Sequence, residues 1–168
     1  MAKGIVIAGM AGVGKTVLAQ KYANIMDLDH LLYKYTYPKE ILENKAFEQL
    51  KGFLQGRTLN PKWPENYISK IFEALEQYDI VLVPASREII EYFEKINFDY
   101  FLCYPTVKSK TIYLERYKNR NTNQEWIGKM NQNFQNDVKY FESKKARKLV
   151  LSGNETLEDK LKELEMIK

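Results

Sequence analysis

The run Gly9-Met10-Ala11-Gly12-Val13-Gly14-Lys15-Thr16 has the spacing G-x-x-x-x-G-K-T. Residues of these types in this order can hold a chain of phosphates. Glycines take backbone conformations that side chains resist, and they let the backbone come close to an anion. Successive N–H groups then converge on that anion. Lys15 can reach the outer phosphates, and the Thr16 hydroxyl can ligate Mg²⁺. The run follows Ile5-Val6-Ile7-Ala8, a short β-branched stretch, and precedes residues 17–23, whose apolar positions have helical spacing. A strand before and a helix after are the context that the motif requires. The helix start adds the positive end of its dipole. Gly9 through Thr16 are therefore expected to bind a nucleoside triphosphate.

Other side chains could act on what the loop holds. Asn24-Ile25-Met26-Asp27-Leu28-Asp29-His30 reads as a short strand ending in acidic residues. Asp27 and Asp29 would share one face of it. In an open α/β sheet ligands sit beyond the carboxyl ends of the strands. There Asp29 could hold Mg²⁺ through water or accept a hydrogen bond from a substrate, whereas Asp27 reads as part of a polar loop. His30, the sole histidine, reads as a surface or hydrogen-bonded side chain. Residues 31–38 are aromatic and basic and end at Pro38. They read as a half-buried loop, with a stacking platform for a base as the functional alternative.

The elements that must position these groups alternate along the chain. Helices are expected over 39–55, 65–77, 88–96, 108–119, 124–143 and 155–168. Strands are expected over 78–84, 98–105 and 149–151. Ile80-Val81-Leu82-Val83 is continuously apolar, as suits a parallel strand covered on both faces. Cys103 reads as a small buried hydrophobe. The alternation implies one α/β domain over residues 1–168, with helices on both faces of a mostly parallel five-stranded sheet. Residues 34–63 and 119–126 are the expected excursions above the sheet.

Composition narrows the classes. The 168 residues are 45% hydrophobic and 29% charged, which is globular rather than disordered. One cysteine excludes an internal disulfide, and one histidine beside it excludes a zinc site built from Cys and His alone. No apolar run approaches the ~20 residues of a membrane span. Met1-Ala2-Lys3-Gly4 leads into a short apolar run without a signal-peptide pattern, so a cytoplasmic location and no membrane partner are expected. The net charge of +4 is local: residues 106–148 hold 11 Lys/Arg against 4 Asp/Glu, and the remainder sums to −3. That basic segment suits an anionic ligand or a solvated helix face. No feature specifies an oligomeric state.

Neither the D-x-x-G nor the N-K-x-D pattern of GTPases is present, and Ile80-Val81-Leu82-Val83 is followed by Pro84-Ala85-Ser86 without the carboxylate of motor and transporter ATPases. Over nearly its whole length the chain resembles the nucleoside monophosphate kinase-like group, which includes adenylate and shikimate kinases. Val83-Pro84-Ala85-Ser86-Arg87 stands where adenylate kinases have Asp-Gly-Phe-Pro-Arg; Arg87 matches the phosphate-binding arginine and the aspartate has no counterpart. Glu115-Arg116-Tyr117-Lys118-Asn119-Arg120 is similar to the two-arginine lid of the group. Asp27-Leu28-Asp29 looks like the Asp-x-Asp of shikimate kinases. Tyr104-Pro105 and Asn60-Pro61-Lys62-Trp63-Pro64 are similar to small phage and bacterial adenylate-kinase-like ATP-binding proteins.

The resemblance implies a phosphate-loop kinase using ATP and Mg²⁺, with a small phosphate-bearing acceptor, foremost a nucleoside or deoxynucleoside monophosphate. Lys15, Arg116 and Arg120 would surround the migrating phosphoryl group, because a guanidinium fork binds phosphate oxygens in pairs. Arg57 and Arg87 would hold the acceptor phosphate. Asp29 is the candidate base and acceptor ligand, and Thr16 the metal ligand. An acceptor-binding excursion over 34–63 and a short lid over 116–126 would close on the site. A nucleotide-binding regulatory module is the alternative from another class. A polynucleotide 5′-kinase ranks lower, because basic lids also occur in small-molecule kinases.

Overall fold

The computed structural model describes residues 4–120 and 123–168. Met1, Ala2 and Lys3, and within the expected lid Asn121 and Thr122, lie outside the described residues. In chain order the elements are β1 (Ile5–Gly9), α1 (Lys15–Lys21), β2 (Ile25–Asp27), α2 (Leu31–Lys34), β3 (Tyr35–Thr36), α3 (Lys39–Asn44), α4 (Phe47–Leu50) and β4 (Thr58–Leu59). They continue with α5 (Glu65–Leu75), β5 (Ile80–Pro84), α6 (Arg87–Lys95), β6 (Phe101–Pro105), a 3₁₀ turn at Val107–Ser109, α7 (Lys110–Arg120), α8 (Gln124–Glu142), β7 (Arg147–Leu151) and α9 (Leu157–Glu163).

The main sheet has the order β2-β5-β1-β6-β7, and every pair in it is parallel. β1 is central, in register with β5 from Ile5↔Ile80 to Gly9↔Pro84 and with β6 from Ile7↔Phe101 to Gly9↔Cys103. Val6, Ile7, Val81, Leu82 and Val83 are wholly buried because helices cover both faces. The helices form two groups. α1 packs with α9; α5, α6 and α8 are joined through Phe72–Phe98–Phe93 ring contacts and an Arg87–Tyr140 stack. The result is a three-layer α/β/α sandwich.

The faces that pack follow from spacing. α5 buries Tyr67, Ile68, Ile71, Ala74 and Leu75, and α8 buries Ile127, Phe134, Val138 and Phe141. Each set recurs at three, four or seven residues and makes one stripe. α9 starts at a reciprocal cap: Thr156 Oγ1 accepts from the Asp159 amide (3.3 Å), and Asp159 Oδ2 accepts from the Thr156 amide (2.8 Å). Among the described residues no helix is long and apolar enough to cross a membrane.

The excursion departs from its expected form. The single helix over 39–55 is two short helices, because Lys45 and Ala46 are extended and the Ala46 amide donates to Gln49 Oε1 (2.8 Å). No residue of α3 is buried, so no continuous apolar face has a partner to hold one helix together. Leu50 instead joins Leu31 and Tyr37 in a small cluster of its own. The expected loop over 31–38 contains α2 and β3, and β4 lies further along the excursion. β3 and β4 pair antiparallel as Tyr35↔Leu59 and Thr36↔Thr58. The strand over 24–30 is only three residues long, and the last helix stops at Glu163.

Glu158 joins α9 to α1. Its carboxylate accepts from Lys21 Nζ (2.8 Å) and Tyr22 Oη (3.3 Å), and pairs with Lys162 (3.0 Å). The Lys21 and Lys162 hydrogen bonds hold its pKa down at about 2. A carboxylate depressed in the folded state stabilises it above the unfolded pKa, and that contribution is lost as pH falls towards 2. Thermal melts between pH 5 and pH 2 are expected to fall more steeply for the wild type than for Glu158→Gln. Parallel curves would contradict this assignment.

Candidate functional site

The loop between β1 and α1 is held by its carbonyl groups. Gly9 O accepts from the Ala85 amide (3.1 Å) and Lys15 Nζ (2.7 Å). Met10 O accepts from the Val13 amide (3.3 Å), Ala11 O from Tyr117 Oη (2.7 Å) and Gly12 O from Arg116 Nη1 (2.8 Å). Val13 O accepts from the Leu157 amide (2.9 Å), and Gly14 O from the Leu18 amide (3.1 Å). A trans peptide sets its C=O and the next N–H in opposite directions. Carbonyls tied outward to α7 and α9 therefore turn the following amides the other way. Those of Gly12, Gly14, Lys15 and Thr16 have no backbone partner among the described residues. Convergent free amides of this kind form an anion-binding nest. Gly12 and Gly14 have φ of +92° and +100°, which side-chain-bearing residues resist. A Cβ on Gly12 would also stand 3.0 Å from the rings of Tyr113 and Tyr117.

Lys15 lies against this nest. Burial pushes its ammonium down to about 8; Asp27 opposes the shift, and Arg120 adds to it. Its Nζ donates to the Gly9 carbonyl. An arriving anion would offer that ammonium a better partner. Cys103, the small buried hydrophobe expected at this strand, lies beneath the loop and accepts from the Met10 amide through its carbonyl (2.9 Å). Burial raises its thiol to about 12, so it is not a nucleophile at neutral pH.

The loop opens into a cavity of about 530 Å³. Asp27, Asp29 and His30 line it from the end of β2, and Pro84–Arg87 from the end of β5. Tyr35, Lys51, Leu54 and Arg57 come from the excursion; Arg120, Trp126, Lys129, Met130 and Asp137 come from α7 and α8. The excursion meets the start of α8 where Gly52 packs against Asn123. One continuous cavity thus runs from the phosphate loop to the excursion.

Two arginines are stacked on rings at its wall. Arg57 lies over Tyr35 at 3.8 Å, and Arg87 over Tyr140 at 4.2 Å. Arg87 also donates to Asp137 Oδ1 (3.2 Å). Stacking fixes the plane of a guanidinium and leaves its edge for an anion. Asp29 Oδ1 accepts from the Leu31 amide (2.8 Å), which starts α2.

Several positions differ from expectation. Asp27, read as a loop residue, ends β2 and accepts from Thr16 Oγ1 through Oδ2 (2.8 Å). Two hard oxygen donors thus stand together at the phosphate loop, a donor set that suits Mg²⁺. Among the described residues no group of three or more His, Cys, Asp and Glu could hold a metal alone. An ion there would depend on phosphate oxygens, as Mg²⁺ commonly does. Arg116 and Arg120, expected to work as a pair, are separated. Arg120 lines the cavity, whereas Arg116 bonds Gly12 O and Asn154 O (3.0 Å) outside it. His30 is neither exposed nor fully hydrogen-bonded: its Nδ1 is buried without a partner.

Tyr117 and Asp137 were not picked out from sequence. Tyr117 lies one position from Arg116 and four from Tyr113, the face of α7 that meets the loop. Asp137 interrupts the apolar stripe of α8 just before Val138.

No protein-family model and no curated protein sequence matches the chain. Among solved structures, the 1.7 Å crystal structure of shikimate kinase from Bacteroides thetaiotaomicron is similar over 97% of this chain and 98% of that one, with a TM-score of 0.50 and 15% sequence identity. That likeness concerns the fold, the three-layer α/β/α arrangement around a parallel five-stranded sheet anticipated from the sequence.

If the outward carbonyls shape the nest, removing their partners should weaken it. Arg116→Ala and Tyr117→Phe are each expected to cost about 1–2 kcal/mol of stability in urea denaturation. Both should also reduce affinity for inorganic tripolyphosphate. Unchanged affinity in both variants would separate the carbonyl contacts from anion binding.

Proposed function

We propose that this chain is an ATP-dependent phosphotransferase whose acceptor is a small phosphate-bearing molecule, foremost a nucleoside or deoxynucleoside monophosphate. The observation that carries the reading is the shared cavity. The phosphate-loop nest and the ring-stacked arginines line the same cavity.

In this reading the amides of Gly12, Gly14, Lys15 and Thr16 and the Lys15 ammonium hold the donor's phosphates. Arg120, whose charge already acts on Lys15, neutralises the migrating phosphoryl group. Phosphoryl transfer needs positioning and charge stabilisation more than covalent chemistry. Mg²⁺ would be held by Thr16 and Asp27 together with phosphate oxygens, and it supplies further charge neutralisation. Arg57 and Arg87 hold the acceptor phosphate. Asp29, with one oxygen fixed by Leu31, turns the other to the acceptor. An anionic phosphate is already a nucleophile and needs no general base. Arg116 serves by holding the loop. The excursion and the start of α8 exclude water, which favours transfer to an acceptor over hydrolysis. The chain works as one domain, with the acceptor side over 34–63 and the short lid over 116–126.

A small acceptor fits better than a polynucleotide. Several cations of the basic segment are already paired: Lys118 with Glu115, Lys129 with Glu125, Lys144 with Glu91 and Arg147 with Asp99. Such pairing leaves less charge free to track a nucleic-acid backbone.

Transfer from radiolabelled ATP tests the roles. Lys15→Ala is expected to lose roughly 100- to 1,000-fold or more in turnover, a scale set by loss of one transition-state charge partner. Its melting temperature should hold or rise, because the variant removes a buried ammonium. Asp27→Asn is expected to need about tenfold more Mg²⁺ for half-maximal rate, from the loss of one charged partner near the ion. Full turnover in Lys15→Ala would overturn the site.

A further inference from the structure

The reading above leaves one polar group of the cavity without work. His30 lines the cavity beside Asp29. Its Nδ1 and the Tyr113 hydroxyl are the buried side-chain atoms without a hydrogen-bond partner among the described residues. Nε2 is not among these atoms, which makes it the ring nitrogen left for a ligand in the cavity.

The ring is clamped. Trp63 packs against it at 5.7 Å and Tyr67 at 6.2 Å, the latter edge-on. Trp63 is fixed by donating to Glu88 Oε2 (2.7 Å), and the Tyr67 hydroxyl donates to the Leu28 carbonyl. The His30 carbonyl accepts from the Tyr33 (3.0 Å) and Lys34 (2.9 Å) amides, which anchors its backbone at the start of α2. A clamped ring points its free nitrogen in one direction.

The proton position follows. A buried N–H without an acceptor is rarer than a buried acceptor without a donor. The proton therefore belongs on Nε2, where the cavity can satisfy it. Burial also keeps the imidazole below its usual pKa; Asp29 and Glu88 pull it up, and Lys34 and Lys15 push it down. At neutral pH the group is thus an uncharged donor among the charged groups of this cavity. Uncharged donors read hydroxyls, carbonyls and ring nitrogens, whereas the arginines read phosphate.

We propose that His30 is the specificity-determining residue of the acceptor site: its Nε2–H donates to an uncharged oxygen or ring nitrogen of the acceptor. The inference rests on the phosphotransferase reading for the identity of the acceptor site, but not for its test. A site built to hydrogen-bond a substrate group discriminates strongly against analogues that lack it. His30 would therefore sort monophosphates that the arginines hold alike.

His30 is the only histidine, so its ring nitrogens give one resolvable pair of ¹⁵N signals. The wild-type protein is titrated at neutral pH, without ATP, with AMP, GMP, CMP and UMP, and separately with inorganic phosphate. The starting spectrum should show the proton on Nε2. At least one nucleoside monophosphate should move the Nε2 signal saturably, and inorganic phosphate should not. In transfer assays His30→Phe is expected to raise the acceptor KM about 10- to 100-fold with kcat within about threefold, and to flatten the ranking of acceptors. His30→Gln, which keeps a donor near the Nε2 position, should recover most of that loss. An Nε2 signal unmoved by all four monophosphates, or moved equally by inorganic phosphate, would overturn the proposal. So would unchanged KM values and ranking in His30→Phe. If no acceptor supports transfer, the phosphotransferase reading fails, and the titration still decides the role of His30.

Discussion

The outward tethering of the loop carbonyls is the constraint on which the rest of the structure depends. Six consecutive residues, Gly9 through Gly14, each give their carbonyl oxygen to a partner. Those partners come from β5's end, from α1 and the loop itself, from α7 and from α9. The central place of β1 brings them within reach, since β5 and β6 flank it and α9 follows β7 at the far edge. The nest is therefore not a property of eight residues alone. It is assembled by elements up to 144 positions away, through the contact of Leu157 with Val13.

Tyrosine does much of the positioning. Tyr117 holds Ala11, Tyr35 and Tyr140 each carry an arginine, and Tyr67 closes on Leu28 beneath His30. A phenol ring offers a rigid face for a guanidinium and a hydroxyl for a carbonyl. Tyr140 is itself held by Glu91, which also binds Lys144 at 2.8 Å. The cavity's charged groups are thus set on aromatic supports rather than left on free side chains, which reduces the ordering needed when an anion arrives.

The main sheet and the phosphate loop were legible in sequence because both signals are local. β5 is a run of buried apolar residues, and the glycine and lysine spacing sits between a strand and a helix. The excursion was not legible, because β3 and β4 are two residues each and exist only by pairing across 22 positions. The break at Lys45–Ala46 reflects the missing partner for α3, which no local pattern reveals. Asp27 was misread because a carboxylate ending a three-residue strand looks like a loop; only the fold brings Thr16 to it. The resemblance to a two-arginine lid paired Arg116 with Arg120 but could not tell that the loop takes one and the cavity the other. His30 was invisible for the same reason: its environment is built by Trp63 and Tyr67, more than thirty residues away.

The central claim is that donor phosphates and an acceptor meet in one cavity. The most direct measurement is coupled ADP release with ATP and Mg²⁺ against a panel of ribo- and deoxynucleoside monophosphates. The account expects ADP release that depends on the acceptor, with one monophosphate clearly preferred. A flat panel, with ATP binding demonstrated by thermal shift, would contradict it and indicate a protein that binds the nucleotide without passing its phosphate to such an acceptor.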